Sequence, residues 1–134
     1  PGLLAMDELL REFIAAELAR PNYPGACCRI ADNWVMTVLC FSPLRKAGRD
    51  YVTEKEVEAW LSEPGGIAVA VNRVMRKSGF KKTANPRVGD VGLVFHKQRL
   101  AMAIRTAAGW LSRDDNGIFV APLSATWKAW VIAA

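Results

Sequence analysis

One cysteine of this chain lies where a protein can make a thiol reactive. Cys27 follows a Pro24-Gly25 turn and opens a segment with helical periodicity. A helix start offers unpaired backbone N–H groups and the positive end of the helix dipole, which stabilise a thiolate and can hold an oxyanion. The position therefore predicts a nucleophile that attacks carbonyl groups. The alternative for Cys27, as for Cys28 and Cys40, is a buried small side chain, because free cysteine is among the most buried residue types.

Helical patterns fill the first part of the chain and must position this cysteine. The predicted helices run from Asp7 to Leu18, from Cys27 to Val38, from Thr53 to about Leu61 and from Ile67 to Ser78. Asp7 is the expected N-cap of the first helix. Thr53 and Glu56 have the spacing of a capping box, and Gly79 has the position that a helix C-terminus favours. The stretch from Cys40 through Gly48 is predicted to be a loop.

Beyond Gly79 the pattern changes to short apolar or alternating runs. These runs predict antiparallel strands at Val91 to Phe95, Leu100 to Ala107, Ile118 to Ala121 and Trp127 to Ile132. The residues Asp114-Asp115-Asn116-Gly117 form a strong turn signal, so both aspartates are expected to be turn residues and not metal ligands. Helices followed by strands predict an α+β fold, in which N-terminal helices pack on a small C-terminal antiparallel sheet. Residues 1–134 are expected to form one domain.

The amino-acid composition limits the class of protein and the cellular compartment that can be expected. A hydrophobic content of 51% can build a core, but no apolar run approaches the ~20 residues of a membrane span. The first residues lack the basic start of a signal peptide. Three cysteines are an odd number and suit a reducing cytoplasm. The five tryptophans (Trp34, Trp60, Trp110, Trp127 and Trp130) are expected to pack in the core.

The net charge of +5 raises the question of a nucleic-acid partner. The densest basic segment comprises Arg73, Arg76, Lys77, Lys81, Lys82 and Arg87. Phe80 is its one interleaved aromatic residue, and no groove-reading or base-stacking motif accompanies it. A solvated basic face is therefore favoured over a nucleic-acid-binding domain, which ranks last among the functions considered.

The order of motifs resembles that of a known enzyme family. After Cys27 comes the run Ala31-Asp32-Asn33-Trp34-Val35, and some sixty residues beyond the cysteine Gly89-Asp90 leads into an apolar strand. From about Pro21 to Ile132 the chain resembles the NlpC-type (papain-like) cysteine peptidases, and it is most similar to the small members encoded among phage tail genes. The resemblance implies a papain-like NlpC-type fold with Cys27 at the position of the nucleophile. It implies no cofactor, and no cluster of ligand residues predicts a metal site.

The chain departs from the family pattern around Cys27. Ala26 precedes the nucleophile position, where the family commonly has Asp. The family histidine begins the strand after the Gly-Asp strand, which here falls in Leu100 to Ile104 and contains no histidine. His96, the one histidine, ends the preceding strand and is expected to be a solvent-facing turn residue, although a shift of a few residues would bring it nearer to Cys27. No residue matches the third, orienting member, so the resemblance implies a vestigial catalytic set.

Two functions remain open after these comparisons of motifs. The favoured one is a phage or prophage tail component that keeps a peptidase-like fold for assembly at the tail tip and has little or no hydrolytic activity. The alternative is an active cysteine peptidase that cleaves stem peptides of the bacterial cell wall during genome entry. The resemblance implies other phage tail proteins and bacterial peptidoglycan as partners, and a protein made in the host cytoplasm and carried in the virion.

Overall fold

Helices precede strands throughout the part of the chain that the computed structural model describes, residues 3–132. The helices are α1 Leu3–Leu18, α2 Ala26–Leu39, α3 Pro43–Lys46, α4 Glu54–Leu61 and α5 Gly66–Lys77. The strands are β1 Val91–His96, β2 Arg99–Thr106, β3 Gly109–Asp114, β4 Gly117–Ala121 and β5 Thr126–Trp130, with a 3₁₀ turn at Leu123–Ala125 before β5. The α+β prediction is confirmed.

The five strands form one sheet in the order β4-β3-β2-β1-β5, and all neighbouring strands are antiparallel. Backbone pairing between β2 and β3 runs only from Ile104 opposite Leu111 to Thr106 opposite Gly109. Beyond this ladder the Ser112 hydroxyl donates a hydrogen bond to the Met102 carbonyl at 2.5 Å. The hairpins β1–β2 and β3–β4 are thus joined by backbone pairing at one end only.

Local signals explain several helix boundaries. The Thr53 hydroxyl accepts a hydrogen bond from the Glu56 N–H at 3.2 Å, and the Glu56 carboxylate accepts one from the Thr53 N–H at 3.0 Å, so the predicted capping box is confirmed. Gly79 follows α5 with φ 78°, a conformation that favours glycine.

Two of the predicted boundaries are wrong. Asp7 is not an N-cap, because α1 begins earlier, at Leu3, and Asp7 lies inside the helix. The predicted loop between Cys40 and Gly48 contains α3, which begins where the Ser42 hydroxyl accepts a hydrogen bond from the Arg45 N–H at 3.1 Å.

Strand β3 was not among the predicted strands. Its second half is polar, Ser112-Arg113-Asp114, and a polar run gives no apolar alternation to read. Ser112 and Arg113 are nevertheless buried because distant partners satisfy them, the Met102 carbonyl in one case and Glu17 in the other. The strand depends on tertiary contacts that a local pattern does not contain.

The main core lies between the helices and the sheet. Trp34, Trp60 and Trp130 are buried there, and Trp110 is buried in a smaller cluster with Ala103 and other sheet residues. The Trp34 indole N–H donates to the Gly89 carbonyl at 2.7 Å, which ties α2 to the loop before β1. The prediction of core packing is confirmed for these four tryptophans, whereas Trp127 is 46% exposed. Among residues 3–132 no helix combines the length and the apolarity needed to cross a membrane.

Candidate functional site

A glycine turn fixes Cys27 at the start of α2. Gly25 precedes the helix with φ 59°, and the Tyr51 hydroxyl donates a hydrogen bond to its carbonyl at 2.7 Å. A Cβ atom at position 25 would lie 2.5 Å from the Tyr51 hydroxyl oxygen, so the close ring and the positive φ both require glycine. Cys27 is therefore the second residue of α2, in the turn whose N–H groups have no helical partners.

The segment that carries Tyr51 is held against α2 by two charged side chains. Asp32, in the run that resembles the peptidase family, accepts hydrogen bonds from the Ser42 hydroxyl at 2.7 Å and from the Leu44 N–H at 2.9 Å. Arg29 donates to the Tyr51 carbonyl at 2.7 Å. Asp32 is thus an anchor for the chain between α2 and α4, and through Tyr51 it supports the turn before Cys27.

Several hydrogen-bonding groups surround the Cys27 sulfur. The Cys27 thiol donates to the Cys28 sulfur at 3.9 Å, and the backbone N–H of Met102 on β2 faces the Cys27 sulfur. The hydrogen bond with Cys28 is the main cause that lowers the pKa of Cys27, and the N–H groups of Met102 and of the helix start act in the same direction against the effect of burial. The same hydrogen bond and burial raise the pKa of Cys28 well above the ordinary thiol value. When one of the two thiols ionises, it is Cys27.

Cys27 opens onto a cleft of about 650 Å³. The start of α2 forms one wall, together with Val57 and Leu61 of α4 and Ile67 of α5. The turn regions of the hairpins β1–β2 and β3–β4 form the opposite wall. Cationic side chains and carboxylates face the cleft from several of these elements, namely Glu54, Lys97, Arg99, Arg113, Asp114 and Asp115. The cleft is large enough for a peptide segment or a small molecule.

His96 lines the same cleft but does not bind the Cys27 sulfur. Its ring stacks on Phe119 with centroids 3.6 Å apart, and its Nε2 lies 3.4 Å from a carboxylate oxygen of Asp114. The side chain lies next to the β1–β2 turn as predicted, but at 24% exposure it faces solvent only in part. The curvature of the sheet brings the end of β1 against β4, a contact that sequence order does not reveal. Among the described residues, the sulfur of Cys27 has the Cys28 thiol and backbone N–H groups around it, and His96 makes no hydrogen bond to it.

At the strand position where the NlpC-type peptidases have their histidine, this chain faces Cys27 with a backbone N–H group. The segment Leu100 to Ile104 lies on β2, and Met102 at its centre contacts Cys27 through its N–H group. Leu100 and Ala101 line the cleft beside it. These residues supply no group that exchanges a proton near neutral pH. The described part of β2 beside Cys27 therefore offers backbone and apolar side chains.

A buried ion pair supports the cleft wall and was missed by the sequence patterns. Arg113 of β3 lies 3.0 Å from a carboxylate oxygen of Glu17, and the two side chains are 6% and 2% exposed. The Tyr23 hydroxyl donates to the same carboxylate at 2.8 Å, and Arg113 also donates to the Arg20 carbonyl at 3.0 Å. This network fastens α1 to β3. No local signal could have found it, because Glu17 and Arg113 are far apart in sequence.

Asp114 has the turn role that the sequence predicted and a second role besides. One of its carboxylate oxygens accepts a hydrogen bond from the Asn116 N–H at 2.8 Å, as in an Asx turn. The other faces His96 and, at 4.0 Å, the ammonium of Lys97. Asp114 therefore joins the turn regions of the two hairpins within one wall of the cleft. Within the described part of the chain, no three His, Cys, Asp or Glu side chains converge as a metal site.

Comparison with known proteins identifies a family for the chain. No curated protein and no protein of solved structure matches the chain significantly. A family model described as a domain of unknown function (DUF6950) matches residues 5–132, which is nearly the whole chain. The chain belongs to the DUF6950 family.

Proposed function

We propose that this protein is a phage or prophage tail component that keeps a peptidase-like fold for assembly at the tail tip and has little or no hydrolytic activity. The groups that surround the Cys27 sulfur are the observation that supports a lack of hydrolytic activity. The Cys28 thiol and the Met102 N–H lie beside the sulfur, whereas the imidazole of His96 stacks on Phe119 and lies 3.4 Å from a carboxylate oxygen of Asp114.

Peptide hydrolysis by a thiol needs a group that gives a proton to the leaving amine and then activates water. The Met102 N–H cannot release its proton. The Cys28 thiol is 4% exposed, and its raised pKa makes it a poor acid near neutral pH. A thiolate at Cys27 can therefore attack, but no described neighbour completes the reaction with an amide. This supports a binding cleft with a vestigial nucleophile.

The tail setting is supported by resemblance. The order of motifs from Pro21 to Ile132 is similar to that of the small NlpC-type proteins encoded among phage tail genes. Fold likeness alone does not fix a function, so the setting needs its own test. We expect the protein in the virion, in contact with other tail proteins and near bacterial peptidoglycan.

A second function, an active cysteine peptidase on cell-wall stem peptides, is favoured by one observation. The cleft that contains the acidic thiol of Cys27 also contains the pair His96–Asp114, which is an imidazole beside a carboxylate. A substrate that drew the β1–β2 turn toward α2 would bring the imidazole closer to the sulfur. This function requires that both Cys27 and His96 be needed for cleavage.

The Cys27→Ala variant separates the two functions. In a phage or prophage genome that encodes the protein, the tail-component proposal predicts wild-type particle yield and infectivity for Cys27→Ala, with the protein found in purified virions by mass spectrometry. Purified protein should release no soluble peptide from peptidoglycan above the level of Cys27→Ala. Release that Cys27→Ala and His96→Ala both abolish would establish the peptidase instead, and absence of the protein from virions would contradict the tail setting.

A further inference from the structure

Positive charge is separated from negative charge in the second half of the chain. Between Glu63 and Asp114 many lysines and arginines are accompanied by a single acid, Asp90. Asp90 is 4% exposed, and its carboxylate accepts hydrogen bonds from the backbone N–H groups of Arg87 and Ile132. Asp90 is therefore buried and bonded to backbone N–H groups, and it does not neutralise the cationic side chains at the surface.

The fold brings two of these cations, Arg76 and Lys82, close to a third, Lys128 of β5, and we define the basic face by these three residues. The segment after α5 pairs with β5, since Lys82 forms a β-bridge with Trp130 and the Thr83 N–H donates to the Ala129 carbonyl at 2.9 Å. Lys128 is two residues from Trp130 on β5, and its ammonium group is close enough to act on that of Lys82. Exposed cations flank the face on the same segments, namely Arg73, Lys77, Lys81 and Arg87.

The charges of the basic face have no partner among the described residues. None of its three side chains forms an ion pair with a described residue. In the first half of the sequence, by contrast, Arg29 pairs with Asp50 and Arg49 pairs with Glu63. The neighbouring charge of Lys128, with a smaller contribution from Arg76, lowers the pKa of Lys82. The dipole of α5 offsets the charge of Arg76 near the helix end but does not act on Lys128 in a strand. Like charges held together without a counter-charge raise the free energy of the isolated protein.

We propose that the basic face binds the phosphate groups of nucleic acid. Phosphates would neutralise the adjacent ammonium groups and release the counterions that these groups otherwise attract. A protein partner is less well matched, because stable protein interfaces have an apolar centre. The large apolar side chains that are exposed among the described residues lie outside residues 66–90, and the nearest in sequence to Lys128 is Trp127. This proposal does not depend on the proposed function, since no residue of the basic face lines the cleft at Cys27.

Fluorescence anisotropy with labelled DNA of about 30 nucleotides, single-stranded and duplex, tests the proposal over a salt series from about 50 to 300 mM. We expect wild-type protein to bind at least one form with an affinity that falls as salt rises. Lys82→Gln with Lys128→Gln should weaken binding on the order of tenfold or more near 0.1 M salt. Each lost phosphate contact should also reduce the log–log salt slope by about 0.7–0.9.

The matched control is Arg11→Gln with Lys55→Gln, which makes the same change in net charge at exposed positions of α1 and α4. This control should bind DNA within about twofold of wild type, because phosphate contacts and not net charge carry the binding. Equal losses in both double variants, or wild-type protein that binds neither form of DNA, would overturn the proposal. Polyglutamate that competes as well as DNA at equal charge would also overturn it, in favour of an acidic protein partner.

Discussion

The buried ion pair between Arg113 and Glu17 gives a stability prediction that can be worked out from the structure. Replacing Arg113 by Met leaves the Glu17 carboxylate, 2% exposed, without its buried cation. Removal of one partner of a buried pair costs about 3–5 kcal/mol. Glu17 keeps the Tyr23 hydroxyl and the half-exposed Arg20, so we expect the lower end of this range, about 3 kcal/mol. For a domain of this size that corresponds to roughly 10 °C in Tm.

Urea unfolding followed by circular dichroism measures the loss directly, with Arg49→Met as the matched control. Arg49 pairs with Glu63 at 2.8 Å, but the two side chains are 40% and 36% exposed, so its loss should cost less than about 1 kcal/mol. Adding Glu17→Gln to Arg113→Met should restore part of the stability, because it removes the buried unpaired charge. An Arg113→Met variant no less stable than Arg49→Met would refute the role given to this pair.

The remaining predictions concern the elements around Cys27. Gly25→Ala should lower the free energy of unfolding by at least about 1–2 kcal/mol in urea titrations, because position 25 has a positive φ and Tyr51 fills the space of a Cβ; unchanged stability would contradict this. Asp32→Ala should cost about 1–3 kcal/mol through its lost hydrogen bonds, whereas Asp32→Asn should cost less. Cys28→Ala should raise the pKa of Cys27 and move its alkylation by iodoacetamide to higher pH, and an unmoved profile would show that Cys28 is not the main donor.

Local chemistry predicted much of the fold. The capping box at Thr53, the glycine after α5 and the helix that begins near Cys27 are each determined by residues close together in sequence, and each is present. Strands β1, β2, β4 and β5 were predicted because each contains a short apolar run that is visible in the local sequence. The start of α1 was predicted wrongly at Asp7, because a residue that favours an N-cap can also occur inside a helix that begins earlier.

The features that sequence could not supply depend on contacts between distant residues. Strand β3 is polar and is held by Met102 and Glu17, so it has no apolar period. His96 lies in the cleft because the sheet curves until the end of β1 reaches Phe119, and curvature has no signal in a single sequence. The position of Cys27 at the start of α2 was predictable, but its hydrogen bond with the Met102 N–H was not.

The central claim is that Cys27 has a lowered pKa and that no imidazole exchanges a proton with its thiol. Its most direct test is the rate at which iodoacetamide modifies Cys27 between about pH 5 and 9, by mass spectrometry, in wild-type protein and in His96→Ala. We predict one titration step whose midpoint lies below the ordinary value for a thiol and is the same in both proteins. A second step, or a midpoint that rises in His96→Ala, would show an imidazolium–thiolate pair and contradict the claim.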